Sequence, residues 1–149
     1  MGQSLSKIYV HLVFGTKYRK PWITDDVRNE LHSYITGIIK NMESPVLKIN
    51  SVSDHIHILF LQSKNFALAK IVEDVKKSSS KWMKTKGITD FTWQIGYGAF
   101  SVSSSKIEIV KKYIETQKEH HRKKTFIEEV DLFMKEYGID DYNKDYFWR

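Results

Sequence analysis

The sequence predicts an α+β fold, a four-stranded antiparallel sheet with elements in the order β-α-β-β-α-β, followed by two further helices. Three observations predict it. Short β-branched and aromatic segments recur along the chain. Between them lie stretches with apolar residues at helical period. Tight breaks join these elements, with no internal repeat and no low-complexity linker. Such an order forms a ferredoxin-like (RRM-like) sheet with both core helices on one face and the other face open for a site or a partner. The topology serves RNA-binding domains and unrelated enzymes alike, so function must be argued from residues.

The elements follow in order. Ile8–Phe14 reads as the first strand. Thr24, with Asp25 and Asp26 behind it, is positioned to cap a helix whose apolar face is Val27, Leu31, Tyr34/Ile35, Ile38 and Met42, and Pro45 closes it. Val46–Val52 and His55–Leu61 form a hairpin about Ser53-Asp54. Asn65 is positioned to cap a second helix with Leu68, Ile71, Val72, Val75, Trp82 and Met83 on one face, ended by Gly87. Phe91–Val102, broken by Gly96 and Gly98, is the fourth strand. Ser105-Lys-Ile-Glu108 reads as a capping box opening a third helix. A fourth, from about Thr125, places Phe126, Val130, Phe133, Met134 and Tyr137 on one face before an aromatic tail.

The chain has 149 residues and no cysteine. That length fits a single domain, 1–149: a core of about 5–102, a helix of about 105–122, and a C-terminal amphipathic helix with an acidic aromatic tail over 125–149. Without cysteine, disulfide scaffolds, zinc fingers, iron–sulfur sites and thiol catalysis are excluded, and any metal must be held by nitrogen or oxygen. No apolar run approaches the roughly 20 residues of a membrane span, and the N-terminus lacks a basic-then-apolar signal pattern. The expectation is a soluble, cytoplasmic domain with no membrane partner. The net charge is +6. Residues 125–149 hold 3 basic and 7 acidic side chains, which leaves +10 on residues 1–124. A body this basic suggests a polyanionic partner.

Two clusters could carry chemistry. In a strand, His55 and His57 project to the same side, while Ile56, Ile58 and Phe60 face the other way. Two imidazoles so placed can share one cation, or they are simply two partly buried histidines satisfied by backbone or water. On the third helix, Tyr113 and Gln117 are one turn apart. His120 and His121 continue that face, and Lys111, Lys112, Lys118, Arg122, Lys123 and Lys124 flank it. The bland reading is a solvated basic helix with its tyrosine in the core. Together the clusters could surround one hard cation beside a phosphodiester. Metal polarisation would help a phenol whose free pKa is roughly 10 attack the phosphorus. A phosphotyrosine ester conserves the energy of the broken bond, so a strand could be rejoined without a nucleotide cofactor.

A family resemblance rests on these residues. His55-Ile-His57, preceded by Asp54 and followed by Ile58-Leu59, resembles the HUH signature, and Tyr113-Ile-Glu-Thr-Gln117 resembles a Y-x-x-x-Q motif. With His11–Arg19, Lys76–Trp82 and Gly96–Ser103, the order and spacing resemble the single-tyrosine HUH transposases of the insertion sequence two-hundred and six-hundred-and-five group, from about residue 4 to 135. The resemblance implies a prokaryotic enzyme of DNA transposition acting on single-stranded DNA with hairpins at element ends. His55, His57 and Gln117 would bind Mg²⁺ or Mn²⁺, and Tyr113 would form a 5′-phosphotyrosine. It also implies a homodimer with composite active sites, the Ser103–Ser105 stretch serving as hinge. His11, His120 and His121 are candidates for a supporting role near the metal. Lys17, Arg19, Lys20, Lys77, Lys81, Lys84, Lys112, Lys118, Arg122, Lys123 and Lys124 are candidate DNA contacts. Rival readings are a non-catalytic or domesticated nucleic-acid-binding protein and a replication-initiator-type HUH nickase.

Overall fold

A computed structural model describes residues 2–118, 125–139 and 142–149. The predicted residues His120, His121, Arg122, Lys123 and Lys124 lie outside the described residues. Four strands, β1 (Ile8–Gly15), β2 (Val46–Ser51), β3 (His55–Gln62) and β4 (Gly98–Val102), form one sheet in the order β2-β3-β1-β4 with antiparallel neighbours. The helices are α1 (Asp25–Asn41), α2 (Leu68–Thr85), α3 (Ile107–Glu115), α4 (Phe126–Glu136) and the short α5 (Lys144–Phe147). The α+β order and ferredoxin-like sheet are those the sequence predicts.

Strand alternation splits the sheet into two unlike faces. Val10, Leu12, Phe14, Ile56, Ile58 and Phe60 pack against α1 through Val27, Leu31, Ile35 and Ile39, and against α2 through Ile71, Val72, Val75 and Met83. Each such side chain stabilises the fold by about 1.5–3 kcal/mol relative to an exposed one. This layer fixes the register, because a one-residue slip of β3 would drive His55 and His57 into the apolar core. Gly87 adopts φ 93, and the amides of Gly87 and Ile88 bond back to the carbonyls of Lys84 and Met83, closing α2.

The second face is not open. Val13 and Phe100 pack against Phe126, Val130 and Met134 of α4, and Leu59 and Val102 pack against Ile107 and Ile114 of α3. The apolar stripes of α3 and α4, which would otherwise face water, close over the sheet. Four local expectations also change. Thr24 stands at the N-cap of α1, but its hydroxyl donates to the Asp26 carboxylate and caps no backbone amide. β4 begins at Gly98 rather than Phe91, with a lone bridge between Thr16 and Trp93 ahead of it. The predicted capping box does not form: a 3-10 turn spans Ser104–Lys106, and the Ser105 hydroxyl bonds that of Ser103. Asn65 does not cap α2, because its amide donates to Glu43. Among the described residues, no helix is long and apolar enough to cross a membrane.

Candidate active site

The packing of Ile56, Ile58 and Phe60 under α1 and α2 turns His55 and His57 to the other face, where both are fully buried. The β1–β3 register sets Val13 opposite His57 and Leu59 opposite His11. His11 is thereby the diagonal neighbour of His57, and its Nε2 lies 2.8 Å from His57 Nδ1. Burial first, and the adjacent His57 second, push the His11 pKa down to about 3, so the ring is neutral near pH 7. His55 Nδ1 lies 2.8 Å from Asp54 Oδ1. With both Nδ1 atoms engaged, the two Nε2 atoms face α3 and α4.

α3 brings Tyr113 and Gln117 to the same place. Asn50 on β2 holds the end of that helix, its Nδ2 donating to the carbonyls of Ile114 at 2.8 Å and Glu115 at 3.2 Å. Gln117 Oε1 lies 3.3 Å from His55 Nε2, while its amide nitrogen donates to the Tyr113 carbonyl at 3.3 Å. The Tyr113 and His57 rings are 5.8 Å apart between centroids. His55, His57, Tyr113 and Gln117 of one chain therefore converge without a second subunit. Lys17, Arg19 and Lys20 follow the end of β1 that pairs with His55, and the Thr16 amide bonds the Asp54 carbonyl. Lys112 and Lys118 are exposed near Tyr113 in the chain. Lys77, Lys81 and Lys84 are exposed on α2, across the sheet from the histidines.

Sequence reading missed Glu129. It sits on the buried stripe of α4, 5% exposed, with Oε1 3.3 Å from His57 Nε2 and Oε2 3.5 Å from His55 Nε2. Tyr113 donates its hydroxyl to Glu129 Oε1. The readable signal was an acid three residues after Phe126 and one before Val130, inside an otherwise apolar stripe. Phe126 stacks flat on His55, and Phe133 meets the His11 and Tyr113 rings edge-on.

The electrostatics are strongly coupled. Burial by itself lowers the His55 pKa, but Asp54 and Glu129 outweigh it, and the net shift is upward. Burial alone would raise the Glu129 pKa, yet its contacts with His55 and His57 hold the carboxyl well below the usual range. Burial first, and the Glu129 carboxylate second, push the Tyr113 phenol above its ordinary value. A neutral tyrosine thus faces a carboxylate and two imidazoles. Ligand atoms of His55, His57 and Glu129 all lie within 4.8 Å of one another. Imidazole nitrogen with carboxylate oxygen suits Mn²⁺, Fe²⁺ or Zn²⁺, and oxygen ligands add Mg²⁺. The residues present fit a divalent metal.

The model of the family described as "Transposase IS200 like" matches residues 4–117, more than half of the chain. The chain belongs to the IS200-like transposase family. As a transposase it is an enzyme of DNA cleavage and joining. It is similar to the ISDra2 transposase TnpA of Deinococcus radiodurans, 25% identical over 114 residues that span 72% of this chain and 81% of that relative. A crystal structure of a transposase from Deinococcus radiodurans has the same fold, with TM-score 0.62 at 22% identity over 78% of this chain and 96% of the other. So has a REP-associated tyrosine transposase bound to a REP hairpin, with TM-score 0.60 at 12% identity over 81% and 74%. Tyr113 and Gln117 fall within the family match of this transposase, whereas Glu129 and α4 lie beyond it.

Proposed function

We propose that this transposase nicks and rejoins single-stranded DNA with Tyr113 as nucleophile. The observation that carries the proposal is the convergence of Tyr113 and Gln117 on the buried His55–His57 pair. In the forward step the Tyr113 oxygen bonds phosphorus and the bond from phosphorus to the 3′-oxygen breaks. The products are a 5′-phosphotyrosine and a free 3′-hydroxyl, and the phenolic proton ends on that hydroxyl. Attack by a 3′-hydroxyl reverses the step, so rejoining needs no nucleotide cofactor.

His55 and His57 would hold the divalent ion, with Gln117 as oxygen ligand by resemblance to the Y-x-x-x-Q motif. The bound ion supplies polarisation of the scissile phosphate and charge neutralisation as the phenol attacks. Asp54 and His11 orient the two imidazoles through their Nδ1 atoms. Tyr113 is the half-exposed member of the cluster, so the phosphate approaches from its side. The hairpin-bound tyrosine transposase of the same fold supports a DNA hairpin as the recognised element. Lys17, Arg19, Lys20, Lys112 and Lys118 are the described cations placed to meet its backbone, and each phosphate contact adds about −0.7 to the salt slope.

The resemblance implies a homodimer whose tyrosine helices are exchanged, but the geometry favours cis action, each chain completing its own site. Mixing Tyr113→Phe with His57→Ala subunits tests this: cis action predicts no rescue of cleavage, and restored cleavage shows exchange. The proposed chemistry is tested with single-stranded DNA from the flanks of the source gene. A protein–DNA adduct that resists denaturing electrophoresis should form with Mg²⁺ or Mn²⁺ and disappear with EDTA. Cleavage undiminished by EDTA would contradict the metal role.

A further inference from the structure

Glu129 is a buried acid whose partners among the described residues are His55, His57, Tyr113 and Gln117, with no Lys or Arg among them. A buried charge is expensive unless compensated, and a divalent ion between the carboxylate and the imidazoles would compensate it. Protein ligands about 2.0–2.2 Å from a common ion lie roughly 3.0–3.5 Å from one another. Glu129 meets that spacing twice, at 3.3 Å from His57 Nε2 and 3.5 Å from His55 Nε2. Gln117 Oε1 meets it at His55, at 3.3 Å, and its amide nitrogen points to Glu129 Oε1 at 3.5 Å.

We propose that Glu129, on the helix beyond the family match, is a further protein ligand of the metal, a carboxylate beside His55, His57 and the Gln117 oxygen. The site would then offer two imidazole nitrogens, a carboxylate oxygen and an amide oxygen on a single chain, a donor set that suits a divalent ion. The same carboxylate holds the Tyr113 hydroxyl, so metal ligand and nucleophile share one anchor. This rests on the proposed metal-dependent chemistry and specifies who holds the ion.

The test measures Mn²⁺ alone, without DNA, on the full-length chain, by the paramagnetic resonance signal of free Mn²⁺. Loss of an outer partner already lowers metal affinity roughly 10–100-fold. Glu129→Gln should therefore weaken Mn²⁺ binding by at least about tenfold, and Gln117→Ala by less. Glu129→Asp, which keeps the carboxylate, should recover part of the loss even if Glu129→Gln folds poorly, and Co²⁺ visible absorption should differ between the Gln and Asp variants. Wild-type affinity in Glu129→Gln overturns the proposal, as does a wild-type chain that binds no Mn²⁺. If Mn²⁺ binding follows Glu129 but no DNA adduct forms, the proposed chemistry fails and this assignment stands.

Discussion

Phe126 lies flat on His55, with ring centroids 4.0 Å apart and 4° between the planes. The stack is possible because Gly15 stands opposite His55 in the sheet and has no side chain. A Cβ there would come within 2.8 Å of Phe126 Cε2 and 3.1 Å of the Asp54 carbonyl. Gly15→Ala should therefore lift α4 from the histidines and cost about 1–3 kcal/mol, the usual penalty of overpacking. Chemical denaturation measures the loss, and a rise in the surface accessibility of His55 to diethylpyrocarbonate would accompany it. Unchanged stability and reactivity would mean that α4 is not seated on β3 in this way.

Asp54 is expected to act on His55 rather than on the fold. Replacing it by Asn removes the carboxylate that helps raise the His55 pKa, so the imidazole pKa should fall as burial regains control. Divalent metal affinity should fall about 10–100-fold with it. Proton NMR titration of the histidine rings and Mn²⁺ binding check the two effects separately. An unshifted His55 in Asp54→Asn would remove Asp54 from the site.

Asn50 ties the tyrosine helix to the sheet edge through two carbonyls. Asn50→Ala should cost about 0.5–1.5 kcal/mol per hydrogen bond and loosen the end of α3. Hydrogen exchange should quicken at Ile114–Lys118 while the β1–β3 ladder stays protected. Equal quickening in both would indicate global rather than local loosening.

His32 carries an acid sensitivity that lies outside the site. Its Nε2 is 2.7 Å from Ser51 Oγ, and burial first, then Arg28, lower its pKa to about 4 from 6.5. The unfolded chain therefore binds the extra proton first as pH falls. The stabilisation is complete above pH 6.5 and is lost between 6.5 and about 4, at no more than about 1.36 kcal/mol per pH unit. His32→Gln keeps a hydrogen-bonding group without the titration. Its urea midpoint should fall less than that of the wild-type chain across this window, and parallel curves would contradict the assignment.

Much of the site was legible because its spacing is periodic. His55 and His57 share a face by strand alternation, and Tyr113 and Gln117 by one helical turn. The sequence could not reveal which segment would close the open face. Glu129 looks like one surface acid among seven in an acidic tail, and only the packing of Phe126, Val130 and Met134 turns it inward. β4 was read too long for a related reason. The Lys76 ammonium gathers the carbonyls of Gln94, Ile95 and Gly96 at 2.7, 3.0 and 2.7 Å and takes them out of the ladder. Burial lowers the pKa of that lysine to about 8. Contacts so distant in sequence leave no local pattern.

The role of Tyr113 is tested most directly by comparing the wild-type chain with Tyr113→Phe on single-stranded DNA from the flanks of the source gene, in Mn²⁺, under denaturing electrophoresis. Tyr113→Phe keeps the ring contacts with His57 and Phe133 and loses only the hydroxyl held by Glu129. The wild-type chain should form a covalent adduct whose DNA-linked residue, by peptide mass spectrometry, is Tyr113, and the folded Phe variant should form none. An adduct of wild-type yield in Tyr113→Phe, or one mapped to another residue, would contradict Tyr113 as the nucleophile.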